Sequence, residues 1–182
     1  MDHKYTVTYD DIMLIPMSKE DNEEYRLLRN LPEIRCWFEH NSVISAEEQT
    51  NWYMNYLKSP NEVMFSAYSI GGGGLLGCNS LYQIDNINKT AEYGRIIVDK
   101  QFSGKNYGYK MTKAALKIAG EQLDLDSVYL TVYKENISAI KIYQRVGFLK
   151  TGESVDSEGR CMLDMEIQLK LHLSPRLVKK NT

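Results

Sequence analysis

At Asp99 the hydrophobic rhythm of the chain changes period, and a glycine-bearing polar turn marks the change. Before it, Ala91 to Val98 is rich in apolar and aromatic residues and reads as a strand. After it, from Tyr109 to Gln122, Met111, Ala114, Ala115, Ile118 and Ala119 fall at helical spacing. Between them lies Phe102-Ser103-Gly104-Lys105-Asn106-Tyr107-Gly108. A turn of this kind exposes backbone N–H groups that have no intrahelical partner. Together with the helix dipole they attract an anion such as a pyrophosphate. Lys105 can add a charge. On the motif alone, an ordinary loop with helix-entry glycines is an equal alternative.

The rest of the chain places this turn in a mixed sheet. Ile12–Met17 predicts a first strand. Ser18 caps a helix to Arg29, with Asp21 at its third position, and Leu31-Pro32 breaks it. Ser45-Ala46-Glu47-Glu48 is a capping box that opens a second helix, ending near Ser59-Pro60. Val63–Ile70, Leu75–Ile84 and Ala91–Val98 form an antiparallel meander. Ser127–Tyr133 alternates as a strand. Asn136 caps a helix bearing Ala139, Ile140, Tyr143 and Val146, and Gly147 ends it. Phe148–Val155 and Cys161–Lys170 read as a closing hairpin. The order is β-α-α-β-β-β-α-β-α-β-β, an α/β (α+β) domain with helices on the faces of a mixed, mostly antiparallel sheet. A chain of 182 residues is one domain, here with its core at 12–170 and a frayed tail at 171–182.

Several function classes are set aside. Lys plus Arg is 22 against 24 for Asp plus Glu, so no field favours nucleic acid or an anionic membrane. Met1–Asp10 has no apolar run of signal-peptide length, and no run is long enough to span a bilayer, so the reading is a cytoplasmic domain. Cys36, Cys78 and Cys161 are too scattered for a disulfide framework and read as small core hydrophobes. His3, His40 and His172 form no metal spacing, and no metal is expected. Gly72 to Gly77 satisfies G-x-G-x-x-G, but Cys78 to Asp85 directly after it reads as a strand, not a helix. The glycines therefore read as a hairpin turn rather than a dinucleotide site.

The turn at 103–108 and the later helix Asn136-Ile137-Ser138-Ala139-Ile140-Lys141-Ile142-Tyr143-Gln144-Arg145-Val146-Gly147-Phe148 are similar, as a pair, to the two motifs of the GNAT superfamily of acetyl-CoA-dependent N-acetyltransferases. The resemblance covers roughly residues 12–169. It implies the acyl-CoA N-acyltransferase fold, with a V-shaped split between the parallel strands Ala91–Val98 and Ser127–Tyr133 that receives acetyl-CoA as cosubstrate. It implies that Ile96 and Val98 pair with the pantetheine arm and that the amides of Gly104, Lys105, Asn106, Tyr107 and Gly108 hold the pyrophosphate. Asn136 would reach the cofactor arm. The family turn usually carries Arg or Gln where Ser103 stands and Gly where Asn106 stands. Asn106 tolerates a left-handed backbone better than most residues.

The same resemblance implies Glu92 as general base, Tyr143 as the acid that serves the leaving thiolate, and a strand N–H near Ile97 or Val98 for the oxyanion. Glu92 reads equally as a paired strand carboxylate. Helical spacing alone makes Tyr143 a buried helix tyrosine. The acceptor region is Arg29 to Phe38. There Arg29 and Arg35 can meet phosphates, and Trp37, Phe38 and Tyr82 can stack on a sugar or base, although packing of the helices explains the aromatics as well. This stretch resembles the branch with ribosomal-protein, spermidine and amino-sugar-nucleotide acetyltransferases, and the last of these most. The expectation is therefore acetylation of a small-molecule amine, an amino-sugar nucleotide first. A polyamine, a protein N-terminus or a non-catalytic CoA-binding sensor are the alternatives. A polyamine would call for carboxylates such as Glu33, Glu39, Glu47 and Glu48. Family members are often dimers, and the alternating strand Cys161–Leu169 is the element read as available to a second subunit.

Overall fold

The computed structural model describes residues 3–170; the expected tail and His172 lie outside the described residues. Eight strands form one sheet: β1 (Val7–Tyr9), β2 (Ile12–Pro16), β3 (Val63–Ser69), β4 (Leu75–Asp85), β5 (Thr90–Val98), β6 (Ser127–Tyr133), β7 (Leu149–Val155) and β8 (Cys161–Gln168). Their spatial order is β1-β2-β3-β4-β5-β6-β8-β7. Among the described residues only β5 and β6 run parallel. The helices are α1 (Lys19–Arg29), α2 (Pro32–Arg35), α3 (Ala46–Tyr56), α4 (Tyr107–Glu121) and α5 (Ile137–Val146).

Local chemistry accounts for most boundaries. Ser18 and Asp21 close a reciprocal capping box on α1, and Ser45 and Glu48 do the same on α3. Gly147 ends α5 in the left-handed region at φ 119°. Besides the short 3-10 turn Lys100–Phe102, two elements escaped the sequence reading. β1 is three residues long, too short to show a period. The Leu31-Pro32 pair, read as a breaker, opens the one-turn α2 instead, because Pro at the first helical position lacks only an N–H that would be unpaired anyway. The helix expected from Tyr109 is α4, and it starts at Tyr107.

The sheet is packed on both faces. Against α4 and α5 lie Ile12, Leu14, Phe65, Ala91, Tyr93, Val128 and Phe148, with Met111, Ala114, Ala115, Ile118 and Ala119 of α4 fully buried on them. Each such Ile or Leu contributes about 1.5–3 kcal/mol by leaving water. Against α1 and α3 lie Met17, Met64, Cys78 and Ile97, with Tyr25, Tyr53 and Tyr56. Burial pushes the Cys78 thiol up, which suits an inert core residue. Cys36 and Cys161 are exposed, contrary to expectation: one follows the single turn of α2, the other opens β8 at its outer end. β8 lies between β6 and β7, so it has no free edge for a second subunit; the edge strands are β7 on that side and β1 on the other.

A bulge in β5 decides which residues face which layer. The pairing with β4 slips between Cys78–Ile97 and Ser80–Gly94, and Arg95 adopts φ 51°. One added residue inverts the alternation. Tyr93, Ile96 and Val98 thus pack on the α4 side, whereas Ile97 packs with α1 and α3. Gly77 makes this approach of strands possible: a Cβ there would lie 2.0 Å from the Ile97 carbonyl oxygen.

Candidate active site

β5 and β6 pair at three rungs only: Thr90 with Ser127, Ala91 with Val128, and Glu92 with Tyr129. β6 remains paired to β8 as far as Tyr133, and β5 to β4 as far as Val98. The two strands therefore part after Glu92, each held by its outer neighbour, and the bulge at Arg95 supplies the bend. The β6-facing edge of β5 from Tyr93 to Val98 is left without a strand partner, which is where the resemblance put the pantetheine arm.

A cavity of about 560 Å³ opens on the α4–α5 side, lined by Ile96, Val98, Ser103, Gly104, Asn106, Tyr107, Gly108, Asn136, Tyr143 and Arg145 among others. Its floor is the glycine-bearing turn. Gly104 (φ 76°) and Asn106 (φ 67°) are both left-handed, a backbone form that aims successive amides into one concavity. Among the described residues the amides of Gly104, Lys105, Asn106, Tyr107, Gly108 and Tyr109 have no protein acceptor, while the Ser103 and Lys110 amides on either side do. Asn106 is the N-cap residue of α4 but makes no side-chain cap; its Oδ1 accepts instead from Arg145 Nη1 at 2.8 Å. Lys105 does not line the cavity; its ammonium lies 5.6 Å from the Phe102 ring centre. Asn136 lines it while capping α5 through Oδ1 to the Ala139 amide.

A buried polar chain fixes the first turn of α4. Asn79 Nδ2 donates to the Tyr93 hydroxyl at 3.2 Å and to the Met111 carbonyl at 3.0 Å. The Tyr93 oxygen is 3.0 Å from Thr112 Oγ1, which donates to the Gly108 carbonyl. The sequence hid this chain, because its members come from three elements.

A second cavity, about 780 Å³, lies on the other side of the split, and Tyr143, Asn136, Ile96 and Val98 belong to both walls. Tyr143 is 6% exposed, and its ring meets those of Tyr93 and Phe148 edge-on at 6.2 and 5.8 Å. Burial, then the neighbouring Tyr93, pushes its phenol far above the ordinary range, so it stays protonated. Glu92 accepts from the Tyr82 hydroxyl at 2.7 Å and from Gln83 Nε2 at 3.0 Å. Burial raises its carboxyl above the usual carboxylate value, against the pull of the Tyr82 bond and the Arg95 charge. Arg95 lies 4.4 Å over the Tyr82 ring and is paired with Glu62. The sequence reading missed Arg95; Gly94 before it, in mid-strand, was the available sign of a bulge.

Of the expected acceptor residues, Arg29, Trp37, Phe38 and Tyr82 line the second cavity and Arg35 does not. Arg29 is 4% exposed; its guanidinium lies 3.6 Å from the Phe38 ring centre and donates to the His40 carbonyl, so it holds the wall. Glu33, Glu39 and Glu92 are the lining carboxylates. Glu48 is taken by its capping box, and Glu47 does not reach the lining. The tip of the β7–β8 hairpin braces this wall: Arg160 donates to the Cys36 carbonyl and the Tyr133 hydroxyl, and Ser157 to Glu39.

Residues 11–149 match the family model described as the acetyltransferase (GNAT) domain. The chain belongs to the GNAT acetyltransferase family. It is 34% identical over 96 residues to the probable spermine N(1)-acetyltransferase of Bacillus subtilis subsp. natto, a match that spans 53% of this chain and 62% of that protein. The chain thus spans less than two thirds of the length of that relative. It is 29% identical over 143 residues to the spermidine N(1)-acetyltransferase of Escherichia coli K12, spanning 78% of this chain and 75% of that one. The fold is that of the spermidine N-acetyltransferase from Vibrio cholerae, solved in complex with CoA and spermine: TM-score 0.83, 23% identity, 90% of this chain and 99% of that chain. Among the described residues of this GNAT chain no cluster of His, Cys, Asp and Glu is arranged to hold a metal, and no helix is long and apolar enough to cross a membrane.

Proposed function

We propose that this chain transfers an acetyl group from acetyl-CoA to a primary amine of a small molecule. The observation that carries the reading is the split after Glu92, with Tyr143 on the wall common to the two cavities. The cavity with the open amides of residues 104–108 suits a diphosphate and its arm. The opposite cavity, edged by Glu92, suits the amine.

The chemistry rests on the groups present. An alkyl ammonium with a pKa of about 10.4 must lose a proton before it can attack. Glu92, directly or through water, accepts that proton. The amine nitrogen then bonds to the thioester carbonyl carbon, and the oxyanion takes a hydrogen bond from a β5 amide near Ile97 or Val98. The C–S bond breaks, Tyr143 passes its proton to the departing thiolate, and the proton shed by the acylated nitrogen returns through solvent to the tyrosinate, leaving the amide and a free thiol.

Polyamines are the acceptors we favour over amino-sugar nucleotides. The named relatives act on spermine or spermidine, and Glu33, Glu39 and Glu92 put carboxylates on the acceptor wall. Arg29, expected to meet a phosphate, is engaged by His40 and Phe38. Free-thiol release from acetyl-CoA across a panel of polyamines, amino sugars and peptides tests the proposal. Release with polyamines supports it; thiol release only with an amino-sugar nucleotide reverses the acceptor assignment, and CoA binding without release from any amine makes the chain a sensor.

A further inference from the structure

Among the described residues, Arg145 is the one charged side chain in the lining of the 560 Å³ cavity. It sits on α5 in the stripe Ser138, Ile142, Arg145, all three of which line that cavity. Its guanidinium carbon lies 4.2 Å from the Tyr109 ring centre, and its Nη1 donates to Asn106 Oδ1. No carboxylate is paired with it among the ion pairs of the described residues. A cation stacked on an aromatic face, tied by one neutral bond and edged onto a cavity, keeps donors free for an anion. The other polar residues of the turn do not supply that charge to the wall: Ser103 is short and neutral, and Lys105 points at Phe102.

We infer that Arg145 is the side chain that binds a phosphate of CoA, reaching in from α5 while it pins the left-handed Asn106 at the head of α4. This rests on the acetyl-CoA reading above. Asn106, left-handed at the head of α4, makes no side-chain cap and accepts from Arg145 instead, so the residue that supplies the charge is tied to the turn whose amides stay open. CoA carries a diphosphate and a ribose 3′-phosphate, and both offer the oxygens a guanidinium takes.

Calorimetric titration of the full chain with CoA and with 3′-dephospho-CoA tests this, using wild type, Arg145→Gln and Arg145→Lys. Arg145 is exposed on the helix, and an unchanged melting temperature of each variant without ligand shows that it folds. Arg145→Gln is expected to weaken CoA about tenfold or more, the scale of a charge-assisted hydrogen bond, with a shallower salt dependence than wild type, and Arg145→Lys to recover part of the loss. If the loss appears with CoA alone, the contact is the 3′-phosphate; if it appears with both ligands, it is the diphosphate. Arg145→Gln binding CoA within about twofold of wild type overturns the inference. Failure of the wild type to bind CoA overturns the acetyl-CoA reading instead, so the two failures are distinct.

Discussion

The Tyr82 hydroxyl donates a 2.7 Å hydrogen bond to Glu92 Oε1 across the β4–β5 pair, at the last rung before β5 leaves β6. The contact ties the carboxylate to the point where the sheet opens. Gln83, itself at φ 50° beside a register shift, holds the other oxygen. The proposed base is thus aimed by strand register rather than by a loop.

Glu92→Gln is expected to lower kcat/KM by roughly 10²-fold or more, the usual scale for a general base. As the proposed base, Glu92 must be ionised to act, and burial raises its carboxyl above the ordinary value. Wild-type kcat/KM therefore rises with pH through that raised value, and the variant loses the acidic limb. A pH profile with the limb intact in the variant assigns the base elsewhere.

Tyr143→Phe keeps the ring contacts with Tyr93 and Phe148 and removes only the hydroxyl. We expect kcat to fall about 10²-fold with little change in the KM for acetyl-CoA, and the melting temperature to stay within a degree or so of wild type. Steady-state kinetics with a fixed amine checks this; an undiminished kcat returns Tyr143 to a packing role.

Gly77→Ala puts a methyl 2.0 Å from the Ile97 carbonyl oxygen, a backbone atom that cannot swing away, at a residue with φ 154°. A loss of about 1–3 kcal/mol in unfolding free energy is expected. Urea denaturation measures it. The β4–β5 spacing also sets the cofactor edge, so weaker CoA binding should accompany the loss.

Asp156 is held at about 2, below its ordinary 3.8: burial opposes ionisation, but bonds from Tyr133, Arg160 and the Glu158 amide outweigh it. The folded value is depressed, so its contribution to stability is fully present above the ordinary value and is lost as pH falls through about 2. Asp156→Asn should lower the melting temperature at neutral pH and flatten its fall in acid. Equal slopes of melting temperature against pH between 4 and 2 for both proteins, taken as a rough titration window, count against this role.

What the chain declares in its own sequence is whatever closes within a few residues. Ser18 with Asp21 and Ser45 with Glu48 are three residues apart, and both boxes form. The stripe from Met111 to Ala119 and the left-handed stop at Gly147 depend on helix geometry alone. The GNAT resemblance carried the split and the turn because both motifs are continuous runs. Tertiary structure decided the rest. The bulge at Arg95, which sends Ile96 and Val98 to the α4 side, exists only through pairing with β4. Arg145 meets Asn106 across 39 residues, and Arg160 meets Cys36 across 124. Burial of Cys78 and exposure of Cys36 and Cys161 came from where each element docked. The physical reason is the same throughout: local hydrogen bonds are dictated by backbone geometry that neighbours share, whereas a contact between distant residues is set by how whole elements pack, which no short stretch of sequence specifies.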